Sequence, residues 1–235
     1  MAENEQLPKH IAVIMDGNRR WAQQHAFQVA LGHRKGVEAV RTIVRECDHI
    51  GIKVLSLYAF STENWQREQR EVDTLMALLQ EFFTSDIDEL DAKNVRIRIL
   101  GVKERLPQMQ RDTVTRCEER TKANTGLQLN IAINYGARDE ILRMTKILAS
   151  EAAAGTIDPG QIDEEMILSH LDTCGQPDVD LMIRTSGEMR LSNFLLYQCA
   201  YAEFYFTPGL WPDFGVKELH IALEEFQHRQ RRHGG

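Results

Sequence analysis

The chain has 235 residues, 43% of them hydrophobic and 27% charged, and carries a net charge of −7 from 28 Lys and Arg against 35 Asp and Glu. That length and apolar content suit one large α/β domain, while the acidic balance argues against bulk nucleic-acid binding, so an anion site has to be local and built from a few placed arginines. No apolar stretch approaches the ~18 residues that span a bilayer, and Cys47, Cys117, Cys174 and Cys199 show no CxxC or Cys/His metal spacing, reading as reduced thiols of a cytosolic protein.

In chain order, MAENEQLPKH has no apolar core and is not a signal peptide. HIAVIM (10–15) is the first expected strand, followed by a helix over 33–50, where Val37, Val40, Ile43, Val44, Cys47 and Ile50 recur at steps of three and four and Gly51 serves as C-cap. KVLSLYAF (53–60) is the second strand. A longer helix is expected over 71–93, with Val72, Leu75, Met76, Leu79, Phe82 and Phe83 on one stripe. Strands VRIRIL (95–100), LQLNIAIN (127–134), DLMIRT (180–185) and AEFYFT (202–207) follow, with helices over 108–124, 138–154 and 216–230. The tail HRQRRHGG reads as a solvated basic end, and 1–8 and 229–235 as flexible ends of a single domain spanning 1–235. The alternation predicts an α/β fold with a mostly parallel six-stranded sheet flanked by helices on both faces.

In open α/β sheets, ligands bind beyond the carboxyl ends of the strands. After the first strand stand Asp16, Gly17, Asn18, Arg19, Arg20 and Trp21; after the second, Ser61, Thr62, Glu63, Asn64, Trp65 and Arg67; after the fifth, Arg184, Ser186, Gly187, Arg190 and Ser192. Arginine forks, hydroxyls and glycine backbone match phosphate oxygens. A carboxylate among them would repel such a ligand unless it holds Mg²⁺, which bridges carboxylate and diphosphate. Taken singly, each cluster has a plainer reading. Asp-Gly-Asn is a turn, STENW a capping box, the arginines are surface ion-pair partners, and His33 is a solvated residue near a helix start. The coincidence of three clusters at strand ends favours a site. The chain contains no P-loop, no G-x-G-x-x-G, no G-x-S-x-G elbow and no Asp-Asp pair.

HIAVIMDGNRRWA, GHRKG, LYAFSTENWQR, NTGLQLNIAINYGARDEI, DLMIRTSGEMRLSNFLLYQCAYAEFYF and WPDF together resemble the cis-prenyltransferases, in particular their bacterial undecaprenyl diphosphate synthase branch, from about residue 9 to residue 214. The resemblance implies a homodimer, Mg²⁺ dependence, and repeated addition of isopentenyl diphosphate to an allylic diphosphate such as farnesyl diphosphate. It implies an undecaprenyl product for the cell-wall carrier lipid, with shorter or medium chains, or a non-catalytic partner subunit, as rivals. By the same likeness Asp16 is the catalytic, metal-binding carboxylate, and Gly17, Asn18, Arg19, Arg20 and Trp21 surround the starter diphosphate, which His33 also contacts. Ser61, Thr62, Glu63, Trp65 and Arg67 are further substrate contacts, and Asn64 is the residue proposed as proton acceptor. Arg184, Arg190, Leu191 and Ser192 clamp isopentenyl diphosphate, and Glu203 is a second metal-linked carboxylate reaching across from a partner subunit. A cytoplasmic enzyme is implied, in transient contact with the inner membrane surface for product release.

Five positions depart from the family pattern: Val29 where many members have Arg, Arg19 for a frequent Gly, Glu68 for a common Pro, Met189 for His in some members, and Ala137 for a common second Gly. None removes Asp16 or the arginine clamp, so an active enzyme is expected. Amide Asn64 is a poor base, and its expected role is to position a phosphate oxygen or water that takes the proton. The growing chain requires an apolar tunnel, expected where Leu75, Met76, Leu79, Phe82 and Phe83 face the strand bearing Leu57 and Ala59. Such a stripe is more often the mark of an ordinary core.

Overall fold

The computed structural model describes residues 7–229, so the expected flexible ends and basic tail lie largely outside the described residues. The elements in chain order are β1 (His10–Ile14), α1 (Asn18–Gln24), α2 (Val29–His49), β2 (Val54–Ser61), α3 (Gln69–Ser85), α4 (Ile87–Ala92), β3 (Arg96–Leu100), α5 (Gln108–Thr121), β4 (Gln128–Tyr135), α6 (Ala137–Ala153), α7 (Glu164–His170), β5 (Leu181–Arg184), β6 (Glu203–Phe206) and α8 (Val216–His228). Single 3₁₀ turns at Thr62–Gln66 and Trp211–Asp213 bear on the site.

Six strands form one sheet in the order β3-β4-β2-β1-β5-β6, and every pair is parallel. On one side of β1 the chain sets β2 beside it, β3 at the edge and then β4 between the two, and it crosses to the other side for β5 and β6. The winding direction therefore reverses between β1 and β5, and the carboxyl ends of β2, β1 and β5 lie side by side. A crevice at such a reversal is where an α/β sheet presents its ligand site.

One face of the sheet packs Ile11, Val13, Leu55 and Leu57 against apolar residues of α2, α3, α5 and α8. On the other face, Ala12, Ile14 and Met182 meet Phe194, Leu195 and Cys199, and α6 closes over Leu171 through Met144 and Leu148.

The expected helices and strands are present with shifted ends, and three differences matter. First, α1 was not anticipated. Seven residues without a strong apolar period form a helix because Gly17, at φ 110°, turns the chain immediately after β1. A side chain at Gly17 would also meet Leu210 Cδ2 at 2.9 Å. Second, α2 starts at Val29 rather than 33, and α1 lies tightly against it. A Cβ on Gly32 would stand 2.1 Å from the Asn18 carbonyl oxygen and one on Gly36 2.2 Å from Asn18 Oδ1. The glycine spacing of GHRKG is thus a close helix crossing. Third, the expected 71–93 helix breaks at Asp86, which caps α3 and receives Arg41 Nε at 3.0 Å on both carboxylate oxygens. The short α7 has its own N-cap, with Asp163 accepting from Met166 N.

Candidate active site

Asp16 leaves β1 and is anchored by its main chain. Its carbonyl accepts from Trp211 N at 3.0 Å and from Thr185 Oγ1 at 2.6 Å. Its Oδ2 accepts from Arg184 Nη2 at 3.0 Å, and Arg20 Nη2 stands 3.7 Å away. Arg184 is the last residue of β5 and is 3% exposed. Its Nη1 donates to Ser192 Oγ at 2.7 Å and to the Arg190 carbonyl, while its Nε is buried without a partner among the described residues. Arg20 reaches across to the β5 end, donating to Ser186 O at 3.0 Å and Ser186 Oγ at 2.6 Å. Ser186, Ser192 and Asn193 all adopt positive φ, so the segment after β5 is a tightly coiled loop rather than a surface turn. Arg190 stands exposed at its rim, paired with Glu188.

Beyond β2, residues 61–66 close a capping box in which Asn64 Oδ1 accepts from Ser61 N at 3.0 Å. Trp65 Nε1 donates to Asn134 Oδ1 at 2.8 Å, and its ring meets Phe60 edge-on. Arg67 Nη1 donates to Glu71 Oε1 at 2.7 Å. The buried His33 donates to the same oxygen from Nε2 at 3.1 Å, and Arg19 is 3.8 Å from Glu71 Oε2. Burial lowers the His33 pKa in spite of Glu71 beside it, so the imidazole is neutral near pH 7. The Glu71 carboxyl is held below its usual range by Arg67 and His33, against the opposing effect of burial.

Three contiguous cavities converge here. A polar chamber of about 540 Å³ is walled by Asp16, Arg184, Ser192, Asn64, Glu63 and Arg67. A second, of about 420 Å³, is walled by Asp16, Gly17, Arg19, Arg20, Arg67 and Glu71. An apolar cavity of about 100 Å³ lies beneath them between the sheet and α2 and α3, lined by Val37, Val40, Leu57, Ala59, Leu75 and Phe82. Met15, Asn18 and His33 border all three. Asn18 Oδ1, at that junction, is buried without a partner among the described residues.

Not every residue singled out in the sequence joins this arrangement. Trp21 lines none of the three cavities; it is buried, donates from Nε1 to Asp213 and stacks on His25. Thr62, Trp65 and Leu191 also line none of them; Trp65 is exposed, and Leu191 packs against the Phe194 cluster. Glu203 opens β6 opposite Leu181, which is itself opposite Ile11, so within one chain it stands at the other end of the sheet from Asp16, where Arg229 pairs with it. Glu71 and Asn193 were missed. The Arg67–Glu71 spacing reads in sequence as an ordinary helix surface pair, and nothing in sequence marks the partner of Asn193. Among the described residues, no three His, Cys, Asp or Glu side chains gather as a ready-made metal cage.

Residues 14–234 match the family model described as putative undecaprenyl diphosphate synthase. The chain belongs to this prenyltransferase family. The isoprenyl transferase of Clostridium perfringens is 48% identical over 231 residues, covering 98% of this chain and 91% of the relative. That of Brucella abortus is 51% identical over 228 residues, covering 97% and 90%. Among solved structures, the prenyltransferase fold superposes on lavandulyl diphosphate synthase from Lavandula x intermedia in complex with dimethylallyl diphosphate, at a TM-score of 0.93 and 38% identity over 96% of this chain and 97% of that one. A probable undecaprenyl diphosphate synthase from Campylobacter jejuni gives a TM-score of 0.80 at 38% identity over 98% and 99%. The protein is therefore an enzyme of prenyl transfer.

Proposed function

We propose that this prenyltransferase condenses isopentenyl diphosphate, unit by unit and in cis geometry, onto farnesyl diphosphate to make undecaprenyl diphosphate for the cell-wall carrier lipid. The observation that carries this reading is one carboxylate, Asp16, shared between two arginine-walled chambers that open onto an apolar cavity. Two chambers suit two diphosphates, and the cavity suits a hydrocarbon tail.

Asp16, the carboxylate common to the linings of both chambers, suits a Mg²⁺ ion that would draw its other ligands from phosphate and water. Asp16 would hold it, and the ion when bound would neutralise diphosphate charge. Arg20 and the backbone N–H groups at the Gly17 turn meet the starter's leaving charge as it develops, the kind of preorganised electrostatics that usually contributes most to catalysis. Arg184, Arg190 and Ser192 hold isopentenyl diphosphate with its double bond against the allylic carbon, which is catalysis by proximity. Asn64 has its amide oxygen engaged by Ser61 N, so its amide nitrogen is the group that orients the phosphate oxygen or water taking the proton. The enzyme works as a homodimer, in which Glu203 of the second copy would help to hold the metal. Among the described residues no helix is long and apolar enough to cross a membrane, and the lipid product leaves by contact with a membrane surface.

One observation favours a second reading, a short- or medium-chain synthase. The apolar cavity of about 100 Å³ is small for a long polyprenyl tail. Purified protein incubated with Mg²⁺, farnesyl diphosphate and labelled isopentenyl diphosphate, with products dephosphorylated and sized by chromatography, decides between them. A dominant C55 product is expected; a shorter one transfers the protein to the second reading. No product from farnesyl, geranyl or geranylgeranyl starters overturns both and favours a partner subunit. In the same assay Asp16→Asn, which keeps an oxygen for Arg184, should lose on the order of 10²–10³ in rate with an unchanged fold.

A further inference from the structure

Asn193 sits in the coiled loop after β5, next to Ser192, at φ 65°. Asparagine tolerates this left-handed backbone better than most residues. Its side chain and main chain bind two other segments at once. The carbonyl accepts from Ala137 N at 2.8 Å and Oδ1 accepts from Arg138 N at 2.9 Å, so two of the unpaired amides at the start of α6 are satisfied by this residue. Its amide nitrogen donates to Glu63 Oε1 at 3.2 Å, in the loop after β2. The strand connection at Gly136 leaves room for this junction and no more. A Cβ there would lie 2.7 Å from Asn193 Nδ2 and 2.9 Å from Thr62 Oγ1. From below, Tyr58 OH donates to the Ser192 carbonyl at 3.3 Å, and the Tyr58 ring stacks on Phe194 at 4.3 Å.

The geometry points to Asn193 as a positioning residue: its amide ties the Glu63 loop to the Ser192 loop, and the α6 N-terminus holds both in register. This rests on the proposed reading of the polar chamber as the isopentenyl diphosphate site, since Glu63, Ser192 and Asn193 all line that chamber, Asn193 with its amide nitrogen engaged by Glu63. The two loops come from strands separated by β1 in the sheet. A misplacement of about 1 Å between reacting partners can cost up to about 10²-fold in rate, so a side-chain bridge across that gap controls how the substrates meet rather than how tightly each binds.

Asn193→Asp separates this role from capping. Aspartate keeps the oxygen that caps α6 and tolerates the backbone, but it loses the donor and sets a carboxylate against Glu63. The expected result is a fall in kcat of about 10-fold or more, with KM for both substrates within about threefold and the melting temperature nearly unchanged. Amide exchange over residues 61–67 should rise while Ala137 and Arg138 stay protected. A residue that only caps α6 would leave kcat and the 61–67 exchange at wild-type values in Asn193→Asp, and that outcome overturns the inference. Gly136→Ala, whose φ of −156° is open to any residue, is the independent wedge. It should reproduce the loss of kcat without removing a hydrogen-bonding group, and normal turnover in it counts equally against the bridge. Wild-type protein that makes no product overturns the functional reading alone, because the exchange measurement still decides the role of Asn193.

Discussion

On the face of the sheet covered by α2, α3, α5 and α8, the inward positions of β1, β2 and β4 are Ile11, Val13, Leu55, Leu57, Leu129 and Ile131, all buried. On the opposite face the alternate positions include His10, Ala12, Ser56, Asn130 and Ala132, equally buried but small or polar, beside the larger Ile14. The first face coheres by apolar packing and leaves a cavity where that packing is incomplete, beside Ala59 and Phe82. The second has its own apolar cluster around Ile14, Met182 and Phe194 and adds matched hydrogen bonds to it. Asn130 Nδ2 donates to Ser56 Oγ at 2.9 Å, Ser56 Oγ donates to His10 Nε2 at 2.7 Å, and His10 Nδ1 donates to the Pro177 carbonyl at 2.8 Å. Further along, the buried Glu140 accepts from Tyr135 OH at 2.6 Å, Asp172 N at 2.8 Å and Gln198 Nε2. Apolar packing is non-directional and tolerates a void that a hydrocarbon can fill. A satisfied polar network is directional and holds one arrangement. The apolar cavity thus lies against the first face, and the loop after β5 against the second.

The largest effect expected on the apolar face comes from Phe82→Ala. Buried Phe→Ala changes cost about 3–5 kcal/mol, and this one should fall near the lower end because the ring already borders a cavity. Urea unfolding measures the cost, and the same variant should shift the product distribution toward longer chains. If packing there were as complete as elsewhere in the core, the product would not change.

On the polar face, His10 makes stability depend on pH. Burial lowers its pKa from 6.5 to about 4, against the raising influence of Pro177 and Asp180. Between those values the unfolded chain binds the proton and the folded one does not, so this contribution is present above pH 6.5 and is lost as the pH falls toward about 4. The loss amounts to roughly 3 kcal/mol at most. Unfolding free energies measured from pH 7 to pH 4 should show a steeper decline for the wild type than for His10→Gln. Parallel curves would place His10 outside the network's control of stability.

The smallest change sharpens the comparison from the other side. Ala59→Leu adds bulk where the apolar cavity meets the polar chamber, and it should alter stability by less than about 1.5 kcal/mol because the space exists. Chromatography of the products should show shorter chains. An unchanged product length would mean that the tail does not run past Ala59.

The sequence by itself determined the alternation of strands and helices, and with it a parallel sheet with its loops at the carboxyl ends. These depend on local periodicity and turn chemistry, which a short window of residues carries. It also marked Asp16, Arg184 and Ser192 as residues that follow strands, and the strand order brings them within hydrogen-bonding reach. It overlooked α1 and the break at Asp86, because the first depends on the close crossing at Gly32 and Gly36 and the second on Arg41 from another helix. Only the tertiary structure decided that Glu71 binds His33 and Arg67, that Glu203 stands away from Asp16 within one chain, and that Asn193 bridges to Glu63. The Glu71–His33 and Asn193–Glu63 contacts join residues 38 and 130 positions apart. Such pairs leave no periodic trace along the chain, since each partner taken alone has the pattern of an ordinary surface or turn residue.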